Sequence, residues 1–412
     1  MANTLKFGNG EWYGKDGFIL AYNDEGGNYK PLPFDFSRSS TATRVNKEGL
    51  IETVGRNKPR VDYKDNSKGA LLLEDTSTNF FQYSEDFNQS YWQHNADITT
   101  TNSSELAPNG GLNANLIEYD GSGYSFIRIY TMIPSTASTL SVFAKKGNWR
   151  YFGLRHFQGS GNDHTVFDFD TETFSNIASG QTASFEVFPN GWYKVKVTHP
   201  SPAANSIVGF AISNSSGAES NTTGGQVANV HLFGAQLEHK SYATSYIPTQ
   251  GSTVTRVADT GVSTGDISSV VNSSEGVLYA EISALADDLT YRGISLVNGT
   301  GNNIVRFYYE NTSNTLTAQI KSDGVTQATM TYTLTDITIA SKICIKYKQN
   351  DFALWINGVE VDTDTSGVTP TGLNVLQFDT GTGNDIFYGR CKEIRIYDEA
   401  LSDTELQALT QV

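Results

Sequence analysis

Short runs in which apolar and polar residues alternate with a period of two recur along the chain and constrain its fold more than any other feature. Examples are TLSVFAKK, HTVFDFD, WYKVKVT and SIVGFAIS in the middle, and GVLYAEIS, KICIKYK and KEIRIYDEAL near the C-terminus. N-G, D-G and G-G pairs, which favour tight turns, occur among these runs, and the chain contains 38 Gly. This pattern predicts an all-β chain built from two-sheet sandwiches.

The distribution of strand-like and turn-like patterns divides the chain into three segments. Residues 1–75 contain scattered turns and short β-like pieces and end in the apolar run Ala70–Leu73. Residues 76–255 and 256–412 each contain many evenly spaced strand patterns, which predicts two β-sandwich (jelly-roll) domains. A segment as short as the first is poorly placed to bury its apolar groups alone, so we expect it to order against a partner as an anchoring segment. We also expect residues 76–412 to fold without it.

A short helix is predicted at the C-terminus, on the last sandwich. Ser402 and Glu405 have the spacing of a capping box, in which the serine caps early N–H groups and the glutamate reaches back to the serine N–H. Leu406 and Leu409 follow on one helical face.

The charge of the chain argues against nucleic acid as a partner. The net charge is −15, and residues 1–70, with 11 Lys/Arg and 9 Asp/Glu, carry +2, which leaves −17 for the remainder. Neutralising phosphates requires clustered Lys and Arg, which this distribution lacks. The first residues, MANTLKFGNG, lack the apolar core of a signal peptide, and we find no run of the ~20 apolar residues that would span a bilayer. We therefore expect synthesis as a soluble cytosolic protein.

Cysteine and histidine form no recognisable metal or disulfide pattern. The two cysteines, Cys344 and Cys391, are interpreted as small core or semi-exposed residues in a reducing compartment. The six histidines have no ligand spacing and are interpreted as strand and loop surface residues; they are His94, His156, His164, His199, His231 and His239.

Three regions of the chain resemble known protein classes. FDFSRSSTATRVNKEGLIETV and GALLLEDTSTNFFQYSEDFNQSYW resemble the N-terminal region of bacteriophage virion fibre and appendage proteins. GWYKVKVT with FGAQLEHKSYATSYIPTQGSTVTRVAD is similar to the sandwich that follows in those proteins, a relative of carbohydrate-binding modules. LWINGVEVDTDTS with KEIRIYDEALSDTELQAL resembles a laminin-G-like or concanavalin-like jelly roll, which supports a fold more than a role.

The stretch FDFDTETF, residues 167–174, raises the question of catalysis. With a strand's period it places Asp168, Asp170 and Glu172 on one face and Phe167 and Phe169 on the core side. Same-face neighbours lie roughly 6.5–7 Å apart, near the separation of about 6.5–9.5 Å between the carboxylates of inverting glycosidases. A glycosidase also needs one acid whose pKa an apolar pocket raises, and an open strand offers no such asymmetry. We interpret a solvated face, with no catalytic residue.

Asp168 and Asp170 remain candidates for a calcium site, because hard cations take several carboxylate oxygens. We expect no other cofactor. The sequence also contains no G-x-S-x-G elbow, no H-E-x-x-H and no P-loop.

A candidate glycan platform lies in GNWRYFGLRHF. Trp149, Tyr151 and Arg155 share one parity, so in a strand their flat rings could stack on sugar C–H surfaces while Arg155 donates to hydroxyls. The alternative is that Trp149 and Tyr151 are ordinary core residues. Trp192 is predicted to be a core anchor, and Asn357-Gly358 in LWINGVEV suits a type I′ hairpin turn.

We therefore predict a non-enzymatic phage virion protein (head fibre, capsid decoration or tail appendage) that displays sandwiches for contact with glycans or the host surface. The resemblance implies binding to other virion proteins through the N-terminal segment and a homo-oligomer, with a trimer common among such fibres. The location implied is the virion, after assembly in the host cytoplasm. One alternative is a virion-associated polysaccharide-cleaving enzyme with its site in FDFDTETF or in the last jelly roll. Another is a purely structural decoration protein.

Overall fold

The structure, a computed structural model, describes residues 4–10, 12–15, 17–21, 32–131, 136–157, 164–202, 206–217 and 223–412. It is nearly all β, which confirms the predicted fold class. A 3-10 turn at Pro189–Gly191 and a helix, α1 (Asp403–Thr410), accompany the strands. In chain order, the strands are β1 (Thr4–Gly8), β2 (Tyr13–Lys15), β3 (Phe18–Ala21), β4 (Leu32–Ser37), β5 (Ala42–Val45), β6 (Ile51–Val54), β7 (Arg60–Asp62), β8 (Ala70–Leu73), β9 (Ser77–Asn79), β10 (Gln93–His94), β11 (Ile98–Asn102), β12 (Asn115–Tyr119), β13 (Phe126–Thr131), β14 (Ser138–Lys146), β15 (Tyr151–Phe157), β16 (His164–Asp168), β17 (Thr173–Asn176), β18 (Thr182–Phe188), β19 (Trp192–His199), β20 (Ser206–Ile212), β21 (Ala228–Glu238), β22 (Val254–Arg256), β23 (Thr260–Thr264), β24 (Glu275–Ala284), β25 (Arg292–Val297), β26 (Ile304–Tyr309), β27 (Thr315–Ser322), β28 (Val325–Thr333), β29 (Ser341–Lys348), β30 (Phe352–Ile356), β31 (Val359–Asp364), β32 (Val375–Gln377) and β33 (Gly389–Tyr397).

The chain divides into two units that differ from the three segments expected from the sequence. Unit 1 comprises Met1–Thr41, Val54–Asp75 and Val257–Val412, and unit 2 comprises Ala42–Thr53 and Thr76–Arg256. The divisions after residues 75 and 256 lie within one residue of the expected boundaries. However, the N-terminal segment is not a unit of its own, because its strands pair with strands from the C-terminal part.

Unit 1 is a sandwich whose sheets both contain N-terminal strands. One sheet has the order β31-β30-β29-β24-β33-β8-β7, with β1 also paired to β33, and the other has the order β2-β3-β4-β23-β32-β25-β26-β27-β28. Leu71 and Leu73 of β8 are fully buried in the core of this unit, next to residues of β24 and β33. The apolar run at residues 70–73 is therefore buried against other strands of the same chain. A continuous apolar run is typical of a strand that is covered on both faces.

Four buried charged side chains, which we call the buried charge cluster, connect the N-terminal strands of unit 1 to the start of its C-terminal part. They are Arg38, Arg60, Glu74 and Asp259, and none is more than 2% exposed. Arg38 donates to Asp259 Oδ1 at 2.9 Å, Arg60 donates to both Asp259 and Glu74, and the Glu74 N–H donates to Asp259 Oδ2 at 2.8 Å. Two arginines and two carboxylates balance in charge, as buried ions require.

Unit 2 is a second sandwich. One sheet has the order β10-β13-β20-β15-β16-β17 and the other has the order β11-β12-β21-β14-β19-β18, with an aromatic-rich core between them. The far side of the second sheet carries another buried cluster that includes Phe143, Trp192 and Phe233. Trp192 is fully buried and its indole N–H donates to the Leu106 carbonyl at 2.8 Å, which confirms its prediction as a core anchor.

The predicted C-terminal helix and the hairpin before it are both confirmed. Helix α1 begins after Ser402, and Glu405 accepts hydrogen bonds from the Ser402 N–H and hydroxyl at 2.9 and 2.6 Å. Leu406 is fully buried with Trp355 on one face of the sheet that contains β29 and β30. Asn357 and Gly358 have φ of 50° and 85°, as a type I′ turn requires.

Two of the histidines are more buried than their surface interpretation allows, whereas the cysteines agree with theirs. Cys344 and Cys391 are both free and buried, as expected for core residues. His156 and His164 are also fully buried, so the surface interpretation was wrong for these two. His156 shares a hydrogen bond of 2.8 Å with the Ser138 hydroxyl, and His164 Nδ1 lies 3.2 Å from the Gly217 carbonyl. These hydrogen-bond partners offset the cost of burying the two imidazoles. A sequence pattern cannot show which residues will supply such partners.

Candidate functional site

The outer face of one sheet in unit 2 presents aromatic and cationic side chains. In strand β13 the alternate residues Ile127 and Ile129 point into the core, as do Phe210 of the neighbouring β20 and Phe152 of β15. Because side chains alternate across a strand, the residues between them point away from the core. The candidate site therefore lies on the outer face of β13, β20 and β15.

Four residues in and before β13 form what we call the aromatic–arginine stripe: Tyr124, Phe126, Arg128 and Tyr130. Tyr124 and Tyr130 are 51% and 58% exposed, and Phe126 and Arg128 are half-buried. The rings of Tyr124 and Phe126 lie 6.1 Å apart. Exposed tyrosines at both ends of a strand are unusual where the opposite parity is aliphatic, because large rings on a sheet are generally buried.

Arg128 is held between the rings of the stripe. Its guanidinium carbon lies 3.9 Å from the centroid of the Phe126 ring and 5.2 Å from that of Tyr130, within the range of cation–π interactions. Within the part of the chain that the structure describes, Arg128 Nε has no hydrogen-bond partner. The stripe thus combines ring faces that can stack on sugar C–H groups with an arginine that can donate to hydroxyl or carboxylate oxygens.

Gly209 of β20 brings a second arginine into the same row of the sheet. It pairs with Arg128 on one side and with Arg155 of β15 on the other. A Cβ atom at Gly209 would lie 2.1 Å from the Ile127 carbonyl oxygen, so only glycine allows the two strands to approach this closely. Arg128 and Arg155 consequently lie in one row across the outer face, two strands apart.

The three residues of the predicted glycan platform do not lie on one face of the sheet. Tyr151 and Arg155 lie in β15 on the outer face, where Tyr151 is half-buried and Arg155 is only 3% exposed. Trp149 precedes the strand, packs against the core of unit 2, and donates its indole N–H to the Ser213 carbonyl at 2.6 Å. Trp149 does not share the outer face with Tyr151 and Arg155, contrary to the prediction from their parity, because β15 begins two residues later, at Tyr151. A glycan-binding role for these three residues remains a prediction.

We expect Trp149→Ala to act mainly on stability. Complete truncation of a buried Trp costs ~3–5 kcal/mol, and for this partly buried ring we expect a loss of about 2–3 kcal/mol in the free energy of unfolding of unit 2, measured by urea titration. Trp149→Phe, which retains much of the apolar contact, should recover part of the loss. Weakened glycan adhesion with unchanged unfolding would instead place Trp149 on an exposed platform.

Asp168 and Asp170 are occupied by basic side chains. Strand β16 ends at Asp168, so Asp170 lies in the following turn and Glu172 adopts a left-handed φ of 52°. Arg150 donates to both Asp168 oxygens at 2.7 and 2.6 Å, and Lys146 donates to Asp170 at 2.5 Å. The Arg150 hydrogen bonds lower the pKa of Asp168 to about 2. The three carboxylates therefore do not share one strand face as expected, because the strand ends at Asp168, whereas Phe167 and Phe169 are core residues as predicted.

The described residues contain no group of three or more His, Cys, Asp or Glu side chains arranged to hold a metal ion. A calcium ion at Asp168 and Asp170 would have to displace Arg150 and Lys146, which already satisfy those oxygens. In the described ranges, the structure also has no helix that is long and apolar enough to cross a membrane.

Sequence reasoning missed the aromatic–arginine stripe, although a local signal for it exists. In YSFIRIY, residues 124–130, aliphatic side chains occupy one parity and aromatic or cationic side chains occupy the other. When isoleucines on one face of a strand pack against the core, the other face can be exposed to solvent. The alternation therefore predicts an exposed aromatic face for this strand.

Residues 259–407 match the family model Laminin_G_3, described as the concanavalin A-like lectin/glucanases superfamily. This match agrees with the jelly-roll fold expected for the C-terminal part of the chain, which forms most of unit 1. No curated protein matches the chain.

Among solved structures, the chain is similar to the CBM40 of Ruminococcus gnavus IT-sialidase bound to alpha2,3 sialyllactose, at 20% identity and a TM-score of 0.31, covering 36% of this chain and 91% of that one. It is also similar to a native heptameric SAP-like pentraxin from Limulus polyphemus, at 14% identity and a TM-score of 0.26, covering 34% and 70%. For sheep galectin-11 in complex with glycerol, the identity is 10% and the TM-score 0.22, covering 31% and 89%. Likeness at this level says nothing about ligands or activity.

Proposed function

We propose that this chain is a non-enzymatic bacteriophage virion protein that binds host-surface glycans through the aromatic–arginine stripe of unit 2. The observation that carries glycan binding is the exposure of Tyr124 and Tyr130 on either side of Arg128 on an outer sheet face. The lectin-like family match of residues 259–407 is consistent with a binding protein. The virion assignment rests on the resemblance of the N-terminal and middle stretches to phage fibre and appendage proteins, and a head fibre, a capsid decoration and a tail appendage all agree with it.

The energetics of the stripe imply weak individual sites and multivalent attachment. A ring that buries ~100 Å² against a sugar gains about 2.5 kcal/mol before the costs of binding. One or two rings therefore correspond to dissociation constants near the millimolar range. Useful adhesion would come from many copies on one particle, or from a homo-oligomer such as a trimer, through effective concentration.

Attachment to other virion proteins is proposed to use the N-terminal part of the chain. Because β1, β7 and β8 belong to a sheet of unit 1, the attachment surface would be part of a folded sandwich. This differs from a segment that orders only when its partner arrives. The assembled virion, formed in the host cytoplasm, is the proposed location.

We expect Tyr124→Ala and Tyr130→Ala each to weaken glycan binding about tenfold, because losing one stacked ring removes roughly 1.4 kcal/mol or more. The measurement is binding of the full chain to a glycan array, followed by titration of the best ligand. Both side chains are exposed, so the melting temperature should change little. Tyr332→Ala, at a 39% exposed tyrosine of β28 in unit 1, is the matched control and should bind normally.

Three outcomes would contradict the proposal. Equal binding by the wild type and the Tyr124→Ala/Tyr130→Ala variant would remove the stripe from the binding site. Release of reducing ends or unsaturated sugars from host polysaccharide by the purified chain would contradict a non-enzymatic role. Absence of binding to any glycan, together with tight incorporation into particles, would favour a structural decoration protein.

A further inference from the structure

Unit 2 also contains a cavity whose lining differs chemically from the aromatic–arginine stripe. A cavity of about 670 Å³, which we call the polar pocket, is lined by residues of three separated stretches: 83–89, 112–115 and 248–250, with Asn102 at its edge. A β-bridge between Tyr83 and Gln250 ties the first stretch to the last. The volume lies within the range of about 300–1,000 Å³ that is typical of small-molecule sites.

Glu85 is fixed in the wall of the polar pocket by neutral donors. Tyr246 donates to Glu85 Oε1 at 3.0 Å and Asn113 Nδ2 donates to Oε2 at 2.7 Å. The Tyr246 hydroxyl also shares a hydrogen bond of 2.7 Å with Ser84, so the carboxylate is held by a chain of hydrogen bonds. Burial raises the pKa of Glu85, and the hydrogen bonds from Tyr246 and Asn113 only partly oppose this. The group is an oriented acceptor in a weakly solvated position.

Two residues that line the polar pocket each carry a buried polar atom without a hydrogen-bond partner among the described residues. Within the described ranges, neither Asn113 Oδ1 nor Thr249 Oγ1 forms a hydrogen bond, although both atoms are buried. Thr249 as a residue is only 6% exposed. Buried polar atoms are nearly always hydrogen-bonded, and leaving one unpaired costs about 1–3 kcal/mol. Because both residues line the polar pocket, a ligand hydroxyl that reaches these two atoms would complete their hydrogen bonds.

The charge and donor pattern of the polar pocket identify the ligand class. Among the described residues, its lining contains the carboxylates of Glu85 and Asp86 and several amides, but no Lys, Arg or His. Anionic sugars would be repelled by this lining. Hydroxyl groups can donate to carboxylates and accept from amide N–H groups at the same time, and the Tyr83 ring offers a face for a sugar ring.

We propose that the polar pocket binds a neutral saccharide of one or two pyranose rings, with Asn113 and Thr249 contacting its hydroxyl groups. This site does not depend on the aromatic–arginine stripe, whose arginine suits hydroxyl or carboxylate groups equally. The two sites of unit 2 would thus differ in the sugar charge that they accept.

The test is ligand-observed NMR and calorimetric titration of the full chain with glucose, galactose, N-acetylglucosamine, maltose and lactose, and with glucuronic acid as the anionic comparison. We expect saturable millimolar binding of at least one neutral sugar and at least tenfold weaker binding of glucuronic acid. Thr249→Val, which is nearly isosteric, and Asn113→Leu should each weaken the neutral sugar at least fivefold. Thr249 Oγ1 has no hydrogen-bond partner in the described residues. Thr249→Val therefore breaks no hydrogen bond within the fold and should retain the melting temperature of the wild type.

Tyr130→Ala separates this proposal from the previous one. It should leave neutral-sugar binding at the polar pocket unchanged, even if it abolishes binding to the host glycan. The proposal is overturned if no neutral sugar binds saturably, if Thr249→Val and Asn113→Leu both bind as tightly as the wild type, or if glucuronic acid binds as well as glucose. Loss of the binding in Tyr130→Ala would assign it to the stripe and would also overturn the pocket site.

Discussion

Asp259→Asn is expected to lower the free energy of unfolding of unit 1 by about 3–5 kcal/mol, because removing one partner from a buried ion pair leaves charge without compensation. Asp259 accepts hydrogen bonds from Arg38 and Arg60, which are both fully buried. A single substitution therefore affects two guanidinium groups. Urea unfolding measures the loss, and hydrogen exchange of peptides from β24 and β33 assigns it to unit 1.

Glu360→Gln provides the control for this prediction. Glu360 is an exposed carboxylate in β31 of the same unit, so its removal should change stability by no more than about 0.5 kcal/mol. A loss below about 1 kcal/mol for Asp259→Asn would mean that water reaches the buried charge cluster when the carboxylate is removed.

The buried charge cluster also changes what is expected of a chain that lacks residues 1–75. Three of its four members, Arg38, Arg60 and Glu74, belong to that segment, as do the strands that pair with β33 and β23. A fragment of residues 76–412 would keep Asp259 in a buried position without its arginines. The sequence suggested that this fragment folds independently; from the loss of these ion pairs and strands we expect its unit 1 part to be unfolded, which circular dichroism of the fragment would test.

Local features of the fold were predictable from the sequence because their causes are local. The capping box at Ser402 and Glu405, the Asn357-Gly358 turn and the alternation of the strands each depend on residues within a few positions of one another. Pairing of β1 with β33 joins Thr4 to Tyr397 and could not be read from periodicity. Nothing in the run of residues 70–73 says which distant strand will cover it.

The candidate sites were less predictable because each depends on where an element begins or which segments meet. Trp149 was assigned to a strand face, but the strand starts at Tyr151 and the indole turns into the core. The polar pocket brings together stretches that contain Glu85 and Thr249 and lie more than 130 residues apart in the sequence. No local sequence motif therefore predicts it. The aromatic–arginine stripe lies within seven residues and was predictable, had both parities of YSFIRIY been compared.

Acidification is expected to destabilise unit 2 selectively, through His156 and His164. Burial lowers the pKa of each imidazole to about 3, with a further contribution from neighbouring His199 and Arg155, respectively. The folded-state pKa lies below the unfolded value of about 6.5. The stability contribution of the neutral imidazole is therefore fully present above pH 6.5 and is lost as the pH falls toward 3.

The size of this effect follows from linkage. Each histidine costs roughly 1.4 kcal/mol per pH unit below 6.5, so the pair should remove about 4 kcal/mol of unit 2 stability between pH 7 and pH 5. Unit 1 serves as an internal reference, because all six histidines of the chain lie between residues 94 and 239. Hydrogen exchange should show faster opening of β14 and β15 at pH 5, after correction for intrinsic rates, while β24 and β33 change much less.

A double variant, His156→Gln with His164→Gln, isolates the cause. The glutamine side chains retain hydrogen-bonding groups but do not titrate, so the pH dependence of unit 2 stability should become shallow even if its absolute stability falls. His94→Gln, at a half-buried histidine of the same unit, should leave most of the slope in place. An unchanged slope in the double variant would show that other titratable groups, namely the carboxylates or the four remaining histidines, whose pKa values burial also lowers, control the acid response.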